Sequence, residues 1–232
     1  MGHDMTALRL GFPDPFPPFC ESDRQGPYGR FINAVAKSLP QGQRIDWQPG
    51  PLDRLNQWLR DGRIDAIAPK AVTLERAQRF SFSQPLMQTA AALFGLADGP
   101  AAPALQQAGS ARIATPRQGP LAALITRHAP DARLIATMDY AETLNAVLTG
   151  AADFAALNAD AGAEIAHRHH PGRFAPPGPR FAPLGLAVAT LPGDPHQVLP
   201  SLGLRPLHLA SNTPGGGGEA DGGQSPPTPL TP

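Results

Sequence analysis

Short apolar runs of strand length alternate along this chain with stretches of helical period, and this alternation restricts the fold more than any other feature. Leu8-Arg9-Leu10-Gly11 reads as a strand, and Phe31, Ile32, Val35, Ala36 and Leu39 fall at helical spacing before Pro40. Ile45-Asp46-Trp47 reads as the next strand, ended by Pro49-Gly50-Pro51. Leu52, Leu55 and Leu59 form an i, i+3, i+7 stripe closed by Gly62, and Ile64 to Ala68 is a strand again. Leu86 to Leu96 is long and apolar. Further strands are expected at Ala111 to Thr115, Leu134 to Ala136, Phe154 to Leu157 and Leu184 to Thr190. Helices are expected from Gly119-Pro120, over Tyr140 to Leu148 and over Ala159 to His167. Such spacing points to an α/β protein with a parallel, doubly wound sheet.

An internal similarity points to two like units. Leu55-Asn56, Leu59, Gly62 and Asp65-Ala66 match Leu144-Asn145, Leu148, Gly150 and Asp153: a helix, a glycine cap, then a strand opening at aspartate. Phe12 to Cys20 carries Pro13, Pro15, Pro17 and Pro18 and is expected as a stiff, extended loop. Pro171 to Pro183 is expected as loop, and Val198 to Leu209 as a short helix at best. Residues 211–232 are dominated by Gly, Pro, Ser and Thr and are expected to form a disordered tail.

Composition excludes several function classes. The 19 basic and 19 acidic residues balance, so no global field draws nucleic acid or an anionic membrane. Lys37 and Lys70 are the only lysines. The single cysteine, Cys20, allows no internal disulfide and reads as a small buried thiol. No run reaches the roughly 20 apolar residues of a membrane span. Met1 to Thr6 is polar, with no signal-peptide-like stretch ahead of the first strand. His167, His169 and His170 lack the spacing and partners of a metal site and sit where a helix end favours positive charge. No phosphate-cradling loop or nucleophile elbow is present, and the glycines at 215–218 read as linker.

The order of motifs resembles a family. A strand, the Pro-Pro-Phe loop, a helix, Gly62-Arg63-Ile64-Asp65-Ala66-Ile67, Thr73-Leu74-Glu75-Arg76-Ala77 and Phe80-Ser81-Phe82-Ser83-Gln84-Pro85 follow in sequence. This is similar to the bacterial extracellular solute-binding proteins of family three, whose best-known members bind polar amino acids. Tyr140 to Leu144, Gly150 and Asp153 continue the order. The resemblance implies two doubly wound α/β lobes joined by a two-crossover hinge, a type II periplasmic binding protein-like fold. Lobe one would comprise 7–91 plus 184–210, and lobe two 95–182. Ligand would lie between them, at the C-terminal ends of the strands.

By the same resemblance Arg76 grips a ligand carboxylate, a task suited to a planar guanidinium. Phe16 would stack on the ligand while Phe19 joins the core. Phe31 would either line the cleft or join the helix-face core. Gly119 and Leu121 fall at the second-lobe anion site, where a helix start offers N–H groups, although Pro120 has none. Three departures bear on the ligand. Asn158 stands where the family has the aspartate that pairs with an ammonium, Ala71 where it has Ser or Thr, and Pro69 where it has glycine. An amide supplies no charge, so the expected ligand bears a carboxylate but is not a standard α-amino acid.

The function so implied is a non-catalytic, periplasmic solute receptor for ABC-type import. It would act as a monomer, pair with a membrane ABC permease, and need no cofactor, metal or nucleic acid. Two alternatives stand beside it. One is a dehydratase-like enzyme on the same fold, for which only Asp14, Glu21 and Asp23 of the first loop offer an acid. The other is a sensory or degenerate ligand-binding domain.

Overall fold

The computed structural model describes residues 7–208. The expected tail at 211–232, and the last two residues expected of lobe one, lie outside them. The first unit runs β1 (Leu8–Pro13), β2 (Glu21–Asp23), β3 (Gly26–Tyr28), α1 (Arg30–Ser38), β4 (Ile45–Gly50), α2 (Leu55–Arg60), β5 (Ala66–Ala71), α3 (Leu74–Ala77) and β6 (Ser81–Phe82). Strand β7 (Met87–Phe94) leads to the second unit: β8 (Arg112–Pro116), α4 (Leu121–His128), β9 (Arg133–Thr137), α5 (Tyr140–Leu148), β10 (Phe154–Asn158) and α6 (Ala159–His169). Strand β11 (Phe181–Thr190) returns to the first unit, and α7 (Val198–Ser201) follows.

The parallel strands order themselves β4-β1-β5 in one unit and β9-β8-β10 in the other, so each unit has its first strand at the centre. Two antiparallel strands, β11 and β7, lie between β5 and β10 and join the units into one curled sheet. The fold is α/β with two doubly wound lobes and a two-strand crossover. The first half of β7 pairs only with β11, whereas Ala91 to Phe94 pair with β10.

The internal similarity has an atomic counterpart. Arg9 of β1 forks onto Asp65, with Nη2 to Oδ1 at 2.6 Å and its own N–H to Oδ2 at 2.7 Å. Arg112 of β8 does the same to Asp153, at 2.6 Å and 2.8 Å. Each clip ties the central strand to the start of the third one. Gly62 (φ 66°) and Gly150 (φ 71°) take the left-handed conformation that lets α2 and α5 turn into those strands.

Packing follows the stripes. Phe31, Ile32 and Val35 of α1 are buried, as are Leu144 and Val147 of α5 and Ile165 of α6. A fully buried side chain of this size contributes about 1.5–3 kcal/mol. The segment after β11 covers the first lobe: Val198, Leu199, Leu202 and Leu204 enter its core, and Ser38 Oγ donates to Leu202 O.

Several elements differ from the sequence expectation. Strand β4 continues through Pro49 and Gly50, which an edge strand tolerates because its outer donors need no partner. The proline loop folds back instead of extending, since Phe16 and Cys20 exchange backbone hydrogen bonds at 2.9 and 3.0 Å. Strand β11 begins at Phe181, inside the segment expected as loop. Pro120 precedes α4 as its cap residue, one position ahead of expectation.

Candidate ligand-binding cleft

A cavity of about 70 Å³ lies between the lobes at the C-terminal ends of the parallel strands. Strand β5 supplies Pro69, Lys70 and Ala71, and the short helix α3 swings Arg76 back over them. That helix exists because Thr73 caps it, accepting the Arg76 N–H at 3.2 Å. The other lobe contributes the turn Pro116 to Leu121, Tyr140 at the start of α5, and the end of β10 with Asn158.

Arg76 is buried. Nη1 donates to Ala71 O at 3.0 Å and Nη2 to Gln118 O at 2.7 Å, the latter across the cleft. Both acceptors are neutral carbonyls. Burial pulls the Arg76 pKa down to about 10, so it stays charged at neutral pH. Lys70 is also buried, and burial together with the charges of Arg76 and Arg79 pushes its pKa well below the usual lysine range. Its Nζ donates to Asn56 Oδ1 at 2.6 Å and lies 4.5 Å from the Phe80 ring centroid. Asn56 Nδ2 passes the link on to Gln118 Oε1 at 3.0 Å. No Asp or Glu lines this cavity among the described residues.

The aromatic wall is Phe16 edge-on to Tyr140, with centroids 5.6 Å apart, backed by Phe19 at 5.2 Å. Burial raises the Tyr140 pKa, so the phenol keeps its proton, and its oxygen accepts the Asn158 N–H at 3.3 Å.

Of the residues singled out from sequence, the cavity brings together Phe16, Pro69, Ala71, Arg76, Gly119, Leu121 and Asn158. It does not bring in Phe31, which is fully buried in the core, nor Phe19, which packs behind Phe16. The Asn158 amide is engaged locally: Oδ1 accepts the N–H groups of Asp160 and Ala161 at 3.0 and 3.1 Å and caps α6. The Gly119 N–H donates to Pro116 O at 2.8 Å, which leaves the first N–H groups of α4 as the donors of that turn.

Sequence reasoning passed over Lys70, Tyr140, Asn56 and Gln118 as cleft residues. Lys70 carried a usable signal: a charge inside an otherwise apolar strand, in a chain whose other basic residues are nearly all arginine. The three first-loop acids lie elsewhere. Asp14 binds Ser22, Glu21 pairs with Arg168 at 2.7 Å, and Asp23 accepts the Gln25 N–H at 2.7 Å. Among the described residues no cluster of His, Cys, Asp and Glu is placed to hold a metal, and no helix is long and apolar enough to cross a membrane.

The family model for bacterial extracellular solute-binding proteins, family 3, matches residues 8–165, more than half of the chain. No curated protein matches the sequence. Solved structures share the fold. A histidine kinase sensor domain with similarity to periplasmic binding proteins is 22% identical over 87% of this chain and 89% of its own, with a TM-score of 0.74. The BvgS periplasmic domain of B. pertussis is 20% identical over 85% of this chain and 39% of its own, at 0.74. The arginine-bound form of truncated ArgBP from T. maritima is 17% identical over 85% of this chain and 93% of its own, at 0.71. At these identities the likeness is one of fold.

Proposed function

The chain belongs to the bacterial extracellular solute-binding proteins, family 3, and from that premise we propose that it is a non-catalytic receptor closing around a small carboxylate-bearing solute. The observation that carries this reading is Arg76, buried between the lobes and held by neutral carbonyls alone. A guanidinium so placed keeps its charge uncompensated within the cavity, and a carboxylate is its natural complement. Lobe one is read as 7–91 plus 184–210 and lobe two as 95–182, with ligand contacts from Arg76, Phe16, Ala71, Pro69, Leu121 and the turn at Gly119. Asn158 is read as shaping the cleft while it caps α6. Closure is a hinge motion stabilised by contacts made across the cleft.

The receptor is read as a periplasmic monomer handing its solute to a membrane ABC permease. A sensory role is the second reading, and it draws support from a fold neighbour that is a histidine kinase sensor domain. Uptake of labelled ligand separates the two: deletion abolishes uptake for an import receptor and leaves it intact for a sensor. The placement of Asp14, Glu21 and Asp23 away from the cavity argues against the dehydratase-like reading.

A thermal-shift screen of keto acids, hydroxy acids, short carboxylates and amino acids tests the binding claim. A ligand at 100 times its Kd stabilises by about 2.7 kcal/mol. A carboxylate shift present in the wild type and absent in Arg76→Ala supports the reading. A carboxylate shift that survives in Arg76→Ala, or a cooperatively melting protein that no carboxylate shifts, refutes it.

A further inference from the structure

The cleft holds two buried basic groups, one more than a single carboxylate needs. Lys70 and Arg76 both line it, both are buried, and none of the cavity's other lining residues is an acid. Arg76 has one carboxylate nearby, Glu75, but that group is exposed and paired with Arg79 at an i, i+4 spacing. Among the described residues no acid acts on Lys70; the charges it feels are Arg76 and Arg79. An ammonium has three donors. One is engaged by Asn56 Oδ1, and the Phe80 ring covers another side. The link to Asn56 and on to Gln118 fixes where the ammonium sits relative to the second lobe. On the opposite wall the Asn158 carbonyl oxygen is turned to the N–H groups of α6, so no acceptor of full charge waits for a ligand ammonium.

We infer that the cleft takes a small dianion, with Arg76 holding one anionic group and Lys70 the other, and that Lys70 selects two such groups over one. This rests on the carboxylate-receptor reading above and narrows its ligand class. Two buried like charges repel each other and have lost their hydration; an occupant with two oxyanion groups supplies both counter-charges at once. The cavity volume, about 70 Å³, holds roughly five water-sized bodies. That favours a short dicarboxylate, of malonate or succinate size, over a long one.

Calorimetric titration with matched pairs tests the inference. The pairs are propionate against malonate and butyrate against succinate, each run on the wild type, Lys70→Met and Lys70→Gln. The inference predicts that the dicarboxylates bind the wild type at least about tenfold tighter, a difference of about 1.4 kcal/mol. Both variants erase that preference and leave the monocarboxylates within about threefold. Monocarboxylates that bind the wild type as tightly as dicarboxylates, through Arg76, overturn the inference and leave the receptor reading standing. So does an equal loss for all four probes in the variants. If none of the four binds while zwitterionic amino acids do, the inference falls and the carboxylate-receptor reading stands.

Discussion

Lys70 and Arg76 face the same cavity but answer differently to pH. Arg76 remains charged because even its lowered pKa, about 10, lies far above neutrality. Lys70 is pushed well below its ordinary value, by burial first and then by Arg76 and Arg79. An anion beside it raises its pKa again, so binding takes up a proton wherever the pH lies between the free and bound values. Affinity for a dianion is therefore greatest below the free-state pKa and falls as pH rises through that window, by up to about tenfold per unit for one proton. Titrations in two buffers of different ionisation enthalpy measure the uptake; a binding enthalpy independent of buffer across the pH range contradicts it. At this scale the sequence was legible where a motif surrounds the residue. Arg76 sits in Thr-Leu-Glu-Arg, and Thr73 proves to be the cap that makes α3. Lys70 and Gln118 had no such frame, because the direction of a strand side chain, or the use of a turn carbonyl by the opposite lobe, depends on tertiary closure.

Elements were read best where hydrophobic period and glycine punctuation agreed. Helices α1 and α5 and strands β1, β7 and β10 all fall within a few residues of their expected places. The hairpin of β2 and β3, and the two-residue β6, were not legible, being too short to show alternation and set by their neighbours. Helix α6 gives a test of the packing. Its Gly162 lies against β7, where an added Cβ would stand 2.6 Å from Phe94 Cζ and 3.0 Å from Leu157 Cβ. Gly162→Ala is expected to cost about 1–3 kcal/mol despite the better helix propensity of alanine. A lowered melting temperature checks this, and a raised one would show that α6 can slide on the sheet. The Arg9–Asp65 clip gives a second test. Burial works to raise the Asp65 pKa, but the hydrogen bonds and charge of Arg9 outweigh it and hold the value below the ordinary 3.8. Its contribution is present above the unfolded pKa and lost as pH falls through the folded one. Asp65→Asn should therefore flatten the acid limb of the stability curve; an unchanged limb counts against the clip.

Across the whole molecule, one sheet runs through both lobes, and the cleft is bridged at its centre and at its rim. At the centre are Arg76 to Gln118 O, Asn56 to Gln118 Oε1, and Phe16 against Tyr140. At the rim Arg168 pairs with Glu21 at 2.7 Å, its side chain 41% exposed. A pair so exposed adds about 0.2–1 kcal/mol to the closed arrangement. Arg168→Ala is thus expected to weaken binding by no more than about fivefold, and a loss as large as that of Arg76→Ala would move the grip from centre to rim. The two-lobe plan was legible from the recurrence of helix, glycine and aspartate at Gly62–Asp65 and Gly150–Asp153, which the paired arginine clips now explain. What the sequence could not display is the charge balance of the cleft, a sum over residues far apart in the chain. Succinate and aspartate differ only by an ammonium group, so comparing their affinities by calorimetry tests that balance directly. Succinate binding at least about tenfold tighter than aspartate is the predicted result; aspartate binding tighter than succinate would contradict the account.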